Sequence, residues 1–270
     1  MWSRTPFFLP VGQGQRFCIL DAPREGGVRG TVLFVHPFAE EMNKSRRMVS
    51  LQSERLAAAG YAVLRIDLLG CGDSSGDFGD ASWDAWREDI LAAITWLQAN
   101  YSGALALWGL RAGCLLAASV AVDLEKRPNF IFWQPVLSGK PHWTQFTRLK
   151  TAGALGNSKE TLDRLKQQLA AGENVEIAGY SIAASLAEGL AGADLLPIEH
   201  TTGKFAWFEI SSRPDATVAP ASRSRIEQWQ QCGWAGEAAV VSGPPFWQTT
   251  EIETAPALIE ATLSAVERWQ

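Results

Sequence analysis

Histidine is scarce in this chain: three in 270 residues, with none after His200. Chemistry that needs an imidazole near the C-terminal end is therefore excluded. Cysteine is sparse too, and Cys18, Cys71, Cys114 and Cys232 lie far apart with no C-x-x-C spacing. That pattern argues against a zinc site or a disulfide framework and predicts reduced thiols. No apolar run approaches the roughly 18 residues of a membrane span. Met1-Trp2-Ser3-Arg4-Thr5-Pro6 lacks the charged and apolar regions of a signal peptide. The formal net charge of −5 is spread without long runs, so neither a nucleic acid nor an anionic membrane is an expected partner. The expectation is a cytoplasmic protein with no membrane span, no metal and no cofactor, and the sequence names no protein partner.

What is abundant is apolar. Hydrophobic residues make up 47% of the chain and charged ones 20%, which suits a single domain over residues 1–270 with room for an insertion. Tryptophan is frequent, twelve in all, and most are expected in the core. Trp133, Trp143, Trp207 and Trp247 fall beside predicted strand ends.

The pattern predicts strands alternating with helices. Phe7–Leu9 and Arg16–Ala22 read as an edge hairpin, and Thr31–His36 as a strand buried on both faces. A helix over about 45–59 closes at Gly60, and Tyr61–Asp67 is the next strand. Ser82 caps a helix whose Trp83, Trp86, Ile90, Ile94 and Leu97 share a face. Ala104–Trp108, Phe130–Trp133, Lys204–Ile210 and Ala238–Ser242 complete the strands, before a last helix from about 255 to 269. Such alternation implies a mostly parallel sheet with helices on both faces. From about 139 to 200 the alternation stops. This Ala/Leu/Gly-rich stretch, with one apolar piece at Val175–Ile182, reads as a mostly helical cap over the carboxyl ends of the strands, where open α/β sheets bind ligands.

Gly109-Leu110-Arg111-Ala112-Gly113 has the G-x-S-x-G spacing of a nucleophile elbow, flanked by a short buried strand and an apolar helix. Arginine stands where serine is expected. Asp67-Leu68-Leu69-Gly70-Cys71-Gly72-Asp73-Ser74-Ser75-Gly76 resembles the D-x-x-G-x-G-x-S-x-G turn of the α/β-hydrolase superfamily. His36-Pro37-Phe38 resembles that superfamily's H-G-x oxyanion turn, with proline replacing glycine. The resemblance implies an α/β-hydrolase fold with an eight-stranded sheet. The block from His36 to Arg47, together with Gly-Leu-Arg-Ala-Gly, is similar to the exosortase A system-associated predicted hydrolase 2 family, which implies a link to exopolysaccharide loci.

By that resemblance, acyl transfer needs a nucleophile, an acid and a histidine in chain order. The positions are held by Arg111, Asp215 and Trp247, so two of the three functional groups are missing. Among replacements, Cys114 is expected as a small core residue. Cys71, on a loop near the strand ends, is expected to be more accessible but lacks a histidine partner. His142 in the cap could swing over the site, and His36 is expected to stabilise its own turn. Ser74 and Ser75 are expected to bond loop backbone.

Arg111 needs a counter-charge. Glu40 and Glu41 lie on the loop beside the elbow, and Asp215 at a neighbouring strand end. One reading is an internal salt bridge that closes the old site. The other is a preformed anion receptor, in which the guanidinium and the amides at Ala112 and the helix start face a carboxylate or phosphate. Trp247, with Trp133 or Trp143, and Phe38 are expected to wall an apolar pocket. Two function classes follow. One is a degenerate hydrolase-fold protein that binds an amphipathic anion or a partner. The other is an acyl hydrolase or transferase with relocated residues, Cys71 or a water held by Glu41 or Asp215.

Overall fold

The computed structural model describes residues 1–152, 158–199 and 202–269. The chain opens with a long hairpin, β1 (Trp2–Val11) and β2 (Gly14–Pro23), followed by β3 (Gly30–Val35) and helix α1 (Glu40–Ala58). Next come β4 (Tyr61–Ile66), a single 3-10 turn at Phe78–Asp80, α2 (Trp83–Asn100), β5 (Ala104–Leu110), α3 (Gly113–Ala121) and β6 (Asn129–Trp133). The insertion contains α4 (Gly139–Thr147), α5 (Leu149–Ala152), α6 (Ser158–Ala170), the small strands β7 (Val175–Ile177) and β8 (Tyr180–Ile182), and α7 (Ala184–Gly192). β9 (Gly203–Ser211), α8 (Pro220–Gln231), β10 (Trp234–Ser242) and α9 (Pro256–Glu267) close the chain.

Eight strands form one sheet in the order β1-β2-β4-β3-β5-β6-β9-β10. The β1/β2 and β2/β4 pairs are antiparallel, and every later pair is parallel. Central strands such as β3 are buried at every residue because helices cover both faces. On one face, α1 and α9 bring Met48, Leu56, Leu258 and Leu263 against Val32, Trp108 and Trp133. On the other, α2, α3 and α8 bring Trp86, Ile90, Cys114 and Trp229 against Leu33, Leu107 and Phe132. This is the mostly parallel, eight-stranded α/β architecture that the strand-helix alternation implies.

Several boundaries differ from the sequence reading. α1 begins at Glu40 rather than near 45, because Ala39, at φ 52°, turns the chain and two acidic residues occupy the favourable positive end of the helix. β10 starts at Trp234, four residues earlier than the apolar run suggests, since its ladder to β9 extends from Trp234↔Gly203. The apolar piece at 175–182 is a hairpin, turning at Ala178 and Gly179, both with positive φ. Among its described residues, the insertion adds no strand to the main sheet. Residues 153–157 and His200, which belong to the expected cap span, lie outside the described residues.

The elbow between β5 and α3 is a tight turn. Arg111 adopts φ 54°, a left-handed conformation that side chains rarely take. The glycines two residues to either side of it have no room for a side chain. A Cβ on Gly109 would lie 2.6 Å from Cys114 Cα, and one on Gly113 would lie 2.3 Å from the Val35 carbonyl oxygen and 2.7 Å from that of His36. Gly113→Ala is therefore expected to lower stability by about 2 kcal/mol or more, as overpacking against backbone does. Gly192→Ala, where nothing stands within 4 Å, is the neutral control. Urea unfolding of both variants checks this, and equal midpoints would show that the elbow tolerates a methyl group.

Candidate functional site

The elbow presents Arg111 at the carboxyl ends of β3, β5 and β6. Its backbone N–H donates to Trp133 O at 3.0 Å, and its carbonyl accepts from Cys114 N at 3.1 Å, so the strained turn is held from both sides. The Arg111 Nε donates to Glu41 Oε1 at 3.2 Å. Its guanidinium carbon lies 5.5 Å from the centre of the Trp247 ring. The side chains of Arg111 and Glu41 are 17% and 20% exposed, so the pair is neither sealed nor freely solvated. The two terminal nitrogens of the guanidinium make no hydrogen bond to the described residues.

Glu41 is only half satisfied. Its Oε2 is buried without a hydrogen-bond partner. Burial pushes the carboxyl above its ordinary range, against the opposing pull of Arg111. Glu40 serves a different element. It accepts from Tyr180 Oη at 2.9 Å and from Asn43 Nδ2 at 3.2 Å, which fastens the first turn of α1 to the β7–β8 hairpin. Of the two acids proposed as partners for Arg111, only Glu41 makes the contact.

The space beside the pair is a cavity of about 320 Å³. Phe38, Phe146, Leu149 and Trp247 supply its apolar wall, and Glu41, Lys44, Arg111 and His142 its polar one. The size falls at the lower end of small-molecule sites. Phe38 is buried and packs edge-on against Phe78, Trp86 and Phe146. His142 lies 6.5 Å from Phe38, centre to centre, and burial, reinforced by Arg111, lowers its pKa to about 4. It is a neutral wall of the cavity at pH 7. Lys44 Nζ donates to Thr249 O at 2.9 Å, which ties α1 to the loop after β10.

His36 is committed to its turn. Nδ1 lies 2.8 Å from Pro37 O, and Nε2 accepts from Leu68 N at 3.4 Å. The two contacts together assign the proton to Nδ1. Burial lowers its pKa as well, which keeps the ring neutral. The loop from Asp67 to Gly76 is equally fixed. Ser74 Oγ donates to Asp67 O and accepts from Phe17 N, while Ser75 Oγ accepts from Gln15 N. Asp89, in a buried pair with Arg16 at 2.7 Å, accepts from Leu69 N.

Four sequence expectations need correction. Cys71 is buried, not accessible, and burial beside Asp67 and Asp89 pushes its thiol up, so it is a poor nucleophile. Trp133 does not line the cavity. It is fully buried on the α1/α9 side of the sheet, where its Nε1 donates to Thr262 Oγ1 at 2.9 Å. Trp143 stacks on Phe146 instead of walling the cavity. Asp215 is not a partner of Arg111. It lines a separate depression of about 690 Å³ with Gln134, Glu209 and Arg213, beyond the ends of β9 and β10. Cys114 is fully buried, with Sγ 3.8 Å from Trp133 O, as a small core residue would be.

Sequence reasoning missed Lys44, Phe146 and Leu149. Lys44 belongs to the block before Arg47 but carried no motif role, and the other two lie in the insertion, where periodicity gives no register against the sheet. Among the described residues, no helix is long and apolar enough to cross a membrane, and no group of three His, Cys, Asp or Glu could hold a metal ion.

This architecture and elbow define the α/β-hydrolase fold. The chain belongs to the serine aminopeptidase S33 family, which it matches over residues 26–207. The comparison with curated proteins finds no match. Among solved structures, Est1E from Butyrivibrio proteoclasticus, with ferulic acid bound, superposes with a TM-score of 0.70 at 15% identity, covering 97% of this chain and 99% of that one. The esterase Pf2001 from Pyrococcus furiosus gives 0.62 at 15% identity, covering 99% and 90%. XC6422 from Xanthomonas campestris, described as an α/β serine hydrolase without lid, gives 0.56 at 16% identity, covering 99% and 95%. Likeness at these identities establishes the fold.

The electrostatics of the cavity can be measured directly. His142 is expected to titrate near pH 4 in the wild type and to move upward, while staying below the ordinary 6.5, in Arg111→Met, because burial remains when the charge is removed. The sign is that of a depressed base: its neutral form contributes stability above pH 6.5 that is lost as the pH falls toward 4. NMR titration of the imidazole checks both values. A wild-type value near 6.5 would show that the cavity is wet.

Proposed function

We propose that the protein is a catalytically degenerate member of its family. In this reading it holds an amphipathic anion, an acyl chain ending in a carboxylate or phosphate, beneath the insertion acting as a cap. The observation that carries this is the Arg111 guanidinium at the elbow, bonded among the described residues through Nε alone and lying over the Trp247 ring on the wall of the cavity. A guanidinium stays protonated and cannot attack a carbonyl carbon, and an indole cannot take up the proton a nucleophile releases. What the pair can do is bind. The terminal nitrogens form a fork suited to a carboxylate or phosphate, and the aromatic wall suits a chain.

Two backbone groups support the same reading. Among the described residues, no acceptor takes the N–H of Phe38 or of Ala112. Ala112 is the N-cap of α3, so an anion there would also meet the positive end of that helix. A cytoplasmic role linked to exopolysaccharide and exosortase loci is the finer form of the proposal, supported by the similarity of the His36–Arg47 block. The second reading is an acyl ester or thioester hydrolase, or an acyltransferase, and the two free amides favour it because they could stabilise an oxyanion. The burial of Cys71 and the placement of Asp215 in a separate depression weigh against it.

Thermal-shift screening of decanoate, decyl phosphate and a nucleotide sugar decides between binding and its absence. Stabilisation by the acyl anions is expected in the wild type and is expected to vanish in Arg111→Ala. A response that survives in the variant would remove Arg111 from the reading. Hydrolysis of p-nitrophenyl esters and labelling by a fluorophosphonate are expected to be absent in the wild type. Arg111→Ser alone is not expected to restore turnover, since no base stands at Trp247. Substantial wild-type turnover lost in Arg111→Ala would establish the second reading.

A further inference from the structure

The charges around the cavity sum to zero, and an anionic ligand would upset that balance. Arg111 faces the cavity from the elbow and Lys44 from α1, while Glu40 and Glu41 come from the first turn of α1. His142, from α4, is the fifth titratable group and is neutral at pH 7. The loop after β10 contributes Trp247 and Gln248, which carry no charge. Both cations are already engaged, Arg111 Nε on Glu41 and Lys44 Nζ on the Thr249 carbonyl. Glu40 is engaged with Tyr180 and Asn43. An added head group would leave one uncompensated negative charge against indole and phenyl walls, where charge is far less well solvated than in water.

Glu41 is the group that can relieve this. One oxygen shares Arg111 Nε, and the other is buried with no hydrogen-bond partner. A second anion on the same guanidinium would place two carboxylates on one cation, and like charges so close disfavour each other's ionised form. We propose that an anionic head group enters on the terminal nitrogens of Arg111 together with one proton, which Glu41 takes up. An O–H bond forms at Glu41, the proton comes from solvent, and no other covalent bond changes. Glu41 then stays beside Arg111 as a neutral acid, and the cavity returns to zero charge.

The inference rests on the anion reading above and adds a proton to it. Burial already raises the Glu41 carboxyl, so less is needed to protonate it than an exposed glutamate. His142 is the competing acceptor. Burial and Arg111 hold it at about 4, which makes it the harder group to charge.

Calorimetric titration with decanoate at pH 7, in PIPES and in Tris, tests this because the two buffers differ in ionisation enthalpy. Uptake of close to one proton is expected, with about tenfold weaker binding at pH 8 than at pH 7. Glu41→Gln keeps the shape of the side chain. It is expected to bind decanoate with no proton uptake and equal affinity at the two pH values. Wild-type binding with equal enthalpy in both buffers would overturn the proposal and leave the anion reading standing. Uptake that persists in Glu41→Gln, or disappears in His142→Gln, would also overturn it by assigning the proton elsewhere. If decanoate binds neither the wild type nor Glu41→Gln, the anion reading falls and takes this inference with it.

Discussion

Everything at the candidate site depends on one close approach of backbones. Gly113 packs so near the carbonyls of Val35 and His36 that no Cβ fits between them, and Gly109 leaves no room for one against Cys114. These contacts lock the end of β5, the start of α3 and the exit from β3 into one unit. Arg111 is thereby forced into a left-handed conformation and projected over the strand ends. Such strain persists only where the surroundings over-determine it. The scaffold that would present a nucleophile is intact, and what it presents is a fixed cation.

The cation reshapes what the elbow can do. An arginine at this point must be compensated, and the first turn of α1 answers with Glu41. The compensation is incomplete, since Glu41 keeps one buried oxygen without a partner and Arg111 keeps its terminal nitrogens uncommitted. A bridge with both carboxylate oxygens on the guanidinium would close the site. A single contact through Nε leaves the wider fork of the same side chain turned to other uses.

Much of this was legible in the sequence because the decisive features are local. The Gly-x-Arg-x-Gly spacing, the loop from Asp67 to Gly76 and the continuous apolar strands each specify backbone conformation within a few residues. The shortage of late histidine and the position of Trp247 also need no coordinates. What could not be read was direction. Trp133 and Trp143 both stand near strand ends, yet one points to the α1/α9 face and the other stacks within the insertion. Cys71 sits on a loop, but the ion pair of Arg16 and Asp89 and the bonds of Ser74 fold that loop inward. Glu40 and Glu41 are adjacent in sequence, and only the start of α1 at Glu40 decides which one meets the elbow.

That adjacency has a mechanical side. Glu40 is clasped by Tyr180 at the tip of the β7–β8 hairpin, while Glu41 grips the elbow, so the opening turn of α1 works as a bracket with two unequal jaws. The Glu40 jaw is open to solvent, where hydrogen bonds exchange readily with water. The Glu41 jaw is partly enclosed and carries a charge pair. The insertion's hold on this turn of α1 therefore rests on the solvent-exposed contact, while the orientation of Arg111 rests on the enclosed one.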